Sequence, residues 1–141
     1  MLTVNPYLNF NGNTEEAFNF YKSVFGGEFL NVSKFKDVPG QEIPEEAKDQ
    51  IMHIALPIAP NVILMGTDAP ECMGFKLAEG NNVHLSIQAE SKEEADRLFN
   101  GLSKDGNVIM PMADQFWGDY YGNFKDKFGI NWMIAFSKGQ Q

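Results

Sequence analysis

The stretch NPYLNFNGNTEEAFNFYKSVFGG, residues 5–27, reads as one strand followed by one helix. Side chains alternate across a strand, so Leu8 and Phe10 share one face and Tyr7 and Asn9 the other. Asn11-Gly12 turns the chain. Asn13 stands where a helix N-cap is expected, with Glu16 at the spacing of a capping box. Ala17, Phe20, Tyr21, Val24 and Phe25 follow at helical spacing, and Gly26-Gly27 stops the helix. What decides the fold is that this pattern occurs twice. In NNVHLSIQAESKEEADRLFNGLSKDG, residues 81–106, Val83, Leu85 and Ile87 alternate with Asn82, His84 and Ser86. Ser91 and Glu94 form a second capping box, Ala95, Leu98, Phe99 and Leu102 a second apolar stripe, and Asp105-Gly106 a second stop. Helix positions 13, 16, 17, 20, 21 and 24 map onto 91, 94, 95, 98, 99 and 102 at a constant offset of 78. Strand positions 8 and 10 map onto 85 and 87 at an offset of 77, so the strand–helix connection of the second half holds one extra residue.

Three strand-like runs follow each helix. In the first half they are residues 28–35, 50–58 and 61–66; in the second, 107–112, 118–126 and 130–137. Each half therefore reads strand, helix, strand, strand, strand. Residues 36–50 are polar, with two prolines, and form a long loop; residues 66–82 connect the halves. A chain of 141 residues suits a single domain, 1–141, with internal repeats at about 1–66 and 81–141.

Composition narrows the function classes. The chain is 43% apolar and 21% charged, ordinary for a globular protein, and its 12 phenylalanines point to an aromatic core. A net charge of −8 argues against nucleic acid and against an anionic membrane surface, both of which are bound through Lys and Arg. It tolerates cationic or neutral small partners, and it also serves solubility. Cys72 is the single cysteine, which excludes an intrachain disulfide and a Cys₂ or Cys₄ zinc site. The first ten residues lack a signal-peptide pattern, and no apolar run approaches the ~20 residues of a membrane span, so a reducing cytoplasm is the expected location. There is no phosphate loop of the form GxxxxGK[ST] or GxGxxG, no GxSxG elbow, and no Gly-rich strand–turn–helix of the S-adenosylmethionine type.

The second stretch that demands an explanation is DQFWGDYYGNFKDKFGINWMI, residues 114–134, which holds both tryptophans of the chain. It reads as a strand, a tight turn at Lys127-Phe128-Gly129, and the last strand. Trp132, Ile134 and Phe136 alternate onto one face, as core residues would. Gly118 and Gly122 allow close backbone approach or sharp curvature. Phe116, Trp117, Tyr120 and Tyr121 beside those glycines suit either core or the apolar wall of a ligand pocket. Asp114, Asp119 and Asp126 can hold a substrate amine or guanidine, or can cap strand ends and turns.

Four segments together, PYLNFNGN, FYKSVFGGE, MHIALPI with ILMGTDA, and FWGDYYGNFKDKFGINWMI, resemble the PhnB-like branch of the vicinal-oxygen-chelate superfamily. That superfamily holds glyoxalase I, the bleomycin-resistance proteins and the extradiol dioxygenases. The branch is often labelled 3-demethylubiquinone methyltransferase-like, and the resemblance covers nearly the whole chain. It implies an α+β fold, two tandem βαβββ modules forming curled mixed sheets around a cavity, and a homodimer.

Metal-dependent members of that superfamily take His, Gln or Glu ligands from the first and last strands of each half. The resemblance places those positions at Asn5, Asn82, Ile63 or Leu64, and Met133, none of which is His or a carboxylate. Asn is a weak ligand for transition metals, and Ile, Leu and Met do not serve a hard ion. The expectation is therefore no cofactor, with a divalent metal left open only through a rearranged site that uses His53 or His84. His84 shares a strand face with Asn82; His53 lies in a strand apolar on both faces, which leaves its direction open. The ligand-pocket residues expected from these readings are Tyr7, Asn9, His53, His84, Trp117, Tyr121 and Trp132. No catalytic residue and no metal ligand is assigned. The functional expectation is a metal-independent small-molecule binding protein. Two alternatives stand beside it: a metal-dependent lyase, isomerase or dioxygenase with a rearranged site, and a partner-binding module with a vestigial pocket.

Overall fold

The computed structural model describes residues 2–137. They divide into two compact units, one running up to Ala78 and the other starting at Glu79. Among the described residues no helix is long and apolar enough to cross a membrane.

Unit 1 runs β1 (Tyr7–Phe10), α1 (Thr14–Phe25), β2 (Asn31–Lys34), β3 (Ile51–Ala59) and β4 (Val62–Asp68). Its sheet has the order β1-β4-β3-β2, with β1 parallel to β4 and the other pairs antiparallel. The sheet is open and has two chemically distinct faces. Leu8, Phe10, Ile54, Leu56 and Leu64 are buried on the face that α1 covers. Tyr7, Asn9, His53, Met65 and Thr67 alternate onto the other face, where they are exposed or half-buried.

Unit 2 repeats the design as β5 (Leu85–Gln88), α2 (Lys92–Leu102), β6 (Asn107–Asp114), β7 (Asp119–Lys125) and β8 (Asn131–Ser137). Its sheet has the order β5-β8-β7-β6, again with the first and last strands parallel. Trp132, Ile134 and Phe124 are fully buried beneath α2, where Phe99 meets Phe124 edge-on at 5.0 Å. The edge strand β6 contains Pro111, which donates no ladder hydrogen bond, and its register with β7 shifts on both sides of Met110. At Gly122 the bulged strand lies so close that a Cβ would meet Met110 O at 2.9 Å and Met112 Sδ at 2.8 Å.

The two strand–helix interfaces solve one packing problem in opposite ways. Leu8 pairs with Gly66, and its repeat equivalent Leu85 pairs with Trp132. Over Gly66 lies the ring of Phe18, which would stand 2.6 Å from an added Cβ. The repeat equivalent of Phe18 is Asp96. Unit 1 thus has a large helix residue over a small strand residue, whereas in unit 2 the strand position opposite Leu85 is the large Trp132 and the equivalent helix residue is the smaller Asp96. The sequence pattern placed Phe20 on the buried stripe of α1, but it is Phe18 that is fully buried, because Gly66 opens room for it.

The helix starts also differ from expectation. Asn13 makes no side-chain cap hydrogen bond. Asp68, at the end of β4, takes that role: its Oδ1 accepts from Thr14 N at 3.1 Å and Thr14 Oγ1 at 2.6 Å, and its Oδ2 from Ile51 N at 2.8 Å. In α2 the cap is local. Ser91 Oγ accepts from Glu94 N at 3.0 Å, and Glu94 Oε1 accepts from Glu90 N at 2.9 Å.

Candidate functional site

The face of each sheet turned away from its helix carries the polar and aromatic groups that the core does not use. In unit 1, Tyr7 Oη and His53 Nδ1 lie 3.1 Å apart, with ring centroids separated by 5.7 Å. The phenol donates when the imidazole carries its proton on Nε2. Burial of the phenol pushes the Tyr7 pKa above its ordinary value, in the direction that keeps the proton on the phenol oxygen. Strand alternation brings Asn9 onto the face of Tyr7. The direction of His53, open from sequence, is set by Ile54, whose side chain takes the helix-covered face and leaves its neighbour the other.

In unit 2, β7 and β8 build a denser arrangement. Trp117 stands in the β6–β7 connection at 50% exposure, and Phe116 beside it at 97%. The indole meets Phe116 at 5.0 Å and Tyr121 at 5.9 Å, both edge-on. Trp117 Nε1 donates to Asp119 Oδ2 at 2.9 Å, and Ser137 Oγ donates to Asp119 Oδ1 at 2.7 Å. Gln88 Nε2 donates to Ser137 Oγ at 3.0 Å, and Asn123 Nδ2 donates to Tyr121 Oη at 3.0 Å. Asp119, Tyr121 and Asn123 alternate along β7, and the register with β8 sets Ser137 opposite Asp119. Alternation made Asn123 findable from sequence; Ser137 and Gln88 enter only through strand register.

Two of the expected pocket residues do not join these groups. Trp132 is 0% exposed on the helix-covered face, and its Nε1 donates to Asp126 Oδ2 at 2.9 Å. Its position opposite Leu85 makes it core. His84 is exposed just ahead of β5. Asp126 accepts also from Phe128 N and Ile130 N, at 2.8 and 3.0 Å, and so organises the Lys127-Phe128-Gly129 turn. A surface depression of about 480 Å³ in unit 1 is lined by Gln41, Glu42, Ile43, Pro44 and Lys48, all from the long loop and none an expected pocket residue.

The positions at which the resemblance places metal ligands carry neither His nor a carboxylate. Asn5 Oδ1 accepts from Ile63 N at 2.9 Å and ties the lead-in of β1 to β4. Leu64 is buried under α1, and Met133 offers a thioether. Among the described residues no three His, Cys, Asp or Glu side chains come together.

Comparison with known proteins agrees with this architecture. The sequence model described as 3-demethylubiquinone-9 3-methyltransferase matches residues 3–135. The chain belongs to that family. Within reach of this PhnB-like family, the structure of PA1353 from Pseudomonas aeruginosa is 36% identical, with a TM-score of 0.86, covering 97% of this chain and 98% of that one. The PhnB protein of Bacillus cereus is 25% identical at a TM-score of 0.77, covering 96% and 100%. Protein YjdN of Escherichia coli is 29% identical over 99% of this chain and 98% of its own. At 13% identity and a TM-score of 0.64, a glyoxylase/bleomycin resistance protein/dioxygenase domain from Frankia sp. shares the fold, covering 100% of this chain and 96% of that one.

Proposed function

We propose that this PhnB-like chain binds a small organic molecule and does so without a metal. The observation that carries this reading is the open aromatic group of Phe116, Trp117 and Tyr121, held in place by hydrogen bonds to Trp117 and Tyr121 rather than by burial. A protein that packs Trp132 at zero exposure leaves a second tryptophan half in water, and large exposed rings beside oriented polar groups are what a ligand wall requires. The donor set supports the metal-free part, because amide, aliphatic and thioether groups occupy the ligand positions. The methyl transfer in the family's name is not carried over to this chain: neither strand–helix turn, Asn11-Gly12-Asn13 or Ala89-Glu90-Ser91, is a Gly-rich cofactor loop. The family likeness and the lone cysteine support a homodimer in a reducing compartment as the working form.

The test is a small-molecule panel screened by thermal shift on chelator-treated and untreated protein, with metal content read by native mass spectrometry. The expected result is at least one ligand that raises Tm equally in both preparations. Binding or turnover that appears only after a divalent metal is restored, and that is lost together with the metal in His53→Ala, would establish the rearranged metal site instead.

A further inference from the structure

From the same unit-2 face we infer the class of ligand: an organic cation, an ammonium or guanidinium group on an apolar body, seated on Trp117 and Tyr121 beside Asp119. The inference rests on the binding-protein reading and adds the charge of the ligand to it.

Three observations converge. The first is the shape of the aromatic pair. Trp117 and Tyr121 meet edge-on at an interplanar angle of 65° with centroids 5.9 Å apart, so the two ring planes make a corner rather than a stack. Ring faces carry the negative lobe of the aromatic quadrupole and attract cations, tryptophan most strongly. The second is the carboxylate at that corner. Asp119 is held by two neutral donors, the Trp117 indole and the Ser137 hydroxyl, and none of the ion pairs among the described residues involves it. Its charge is oriented but not neutralised. Two hydrogen bonds leave a carboxylate with acceptor capacity to spare. The third is the coupling between the two. An indole N–H donating to a carboxylate gains electron density in its ring, which strengthens the cation–π attraction of the face turned to solvent.

Other ligand classes fit less well. An anion would meet Asp119 with no lysine or arginine beside it among the described residues; Lys92 is engaged with Asp114 and the ring of Tyr120. A neutral apolar ligand would use the rings but would shield a carboxylate from water with nothing given in return. The net charge of −8 favours the approach of a cation from a distance.

The chain has two tryptophans, so its ¹H–¹⁵N spectrum holds two indole signals, and Trp117→Leu assigns them. The probes are benzylammonium, benzyl alcohol and benzoate, matched in size and different in charge, titrated into chelator-treated protein. The expected result is that benzylammonium moves the Trp117 signal and leaves that of the buried Trp132. It binds about tenfold more tightly than benzyl alcohol, with benzoate weaker still. Asp119→Asn brings the ammonium and the alcohol within about twofold of each other, and Asp119→Glu restores the preference, which separates lost charge from a disturbed loop. Equal binding of alcohol and ammonium overturns the cation class and leaves the binding-protein reading intact. No Trp117 response to any of the three overturns both. A Trp117 signal that shifts with protein concentration instead of with probe assigns the aromatic corner to a second copy of the chain and also overturns the inference.

Discussion

Asp119 and Asp126 lie in one aromatic stretch, and their surroundings send them to different tasks. Asp126 is buried and accepts three hydrogen bonds that close a turn; Asp119 is half-buried and holds an exposed indole. Sequence alone offered both readings for both residues. The difference arises because Asp126 directly follows β7, where three donors converge on it, while Asp119 begins β7, where the chain enters the sheet from the connection that carries Trp117. A third polar contact of the stretch sets a pH response. Tyr120 Oη donates to Asp96 Oδ1 at 2.5 Å. That hydrogen bond, followed by burial and the charges of Asp96 and Asp114, pushes the phenol from 10.0 to about 12. The folded chain keeps this proton to higher pH than the unfolded chain, so the stabilisation is complete below pH 10 and is lost as pH rises through about 12. Urea unfolding across that window is expected to show a fall in stability that is shallower in Tyr120→Phe than in the parent protein.

At the scale of elements, the repeat sets where the strands and helices lie but not how their ends are secured. Both helices begin with a residue of N-cap type, yet only Ser91 caps through its side chain; α1 is capped by Asp68, which ends the neighbouring strand β4 opposite Phe10. The connection ahead of α1 is one residue shorter than that ahead of α2, and there Thr14 N and Oγ1 both donate to Asp68. Three substitutions order these contributions. Ser91→Ala is expected to cost about 1 kcal/mol, the usual value of a side-chain cap. Asn13→Ala is expected to cost less than about 0.5 kcal/mol, as for an ordinary surface change. Asp68→Ala leaves the buried Thr14 and Ile51 donors without their acceptor and is expected to cost most, about 3 kcal/mol. Denaturant midpoints at constant m-value check the order; an Asn13 effect as large as that of Ser91 would contradict it.

For the molecule as a whole, the surplus of acidic side chains is a field rather than a site. It acts on a cation before contact and is screened by salt within about 10 Å at 0.1 M ionic strength. Raising NaCl from about 0.05 M to about 0.5 M is therefore expected to weaken benzylammonium binding several-fold and to leave benzyl alcohol within about twofold of its value. Equal salt sensitivity of the two titrations would show that the field plays no part.

The βαβββ repeat, the strand faces of Leu8, Phe10, Leu85 and Ile87, the turn at residues 127–129 and the family were all legible in one chain. They rest on periodicity and turn chemistry, which are local. So was the residue type at the positions where the resemblance places metal ligands, none of them His or carboxylate. Only the tertiary structure decided that His53 turns to Tyr7, that Phe18 and not Phe20 fills the layer beneath α1, that Trp132 is core while Trp117 is open, and that Ser137 and Gln88 orient Asp119. Each of these depends on strand register, which here brings together residues from 18 to 58 positions apart in sequence. Periodicity says which face a residue takes, but not which residue of another strand stands opposite.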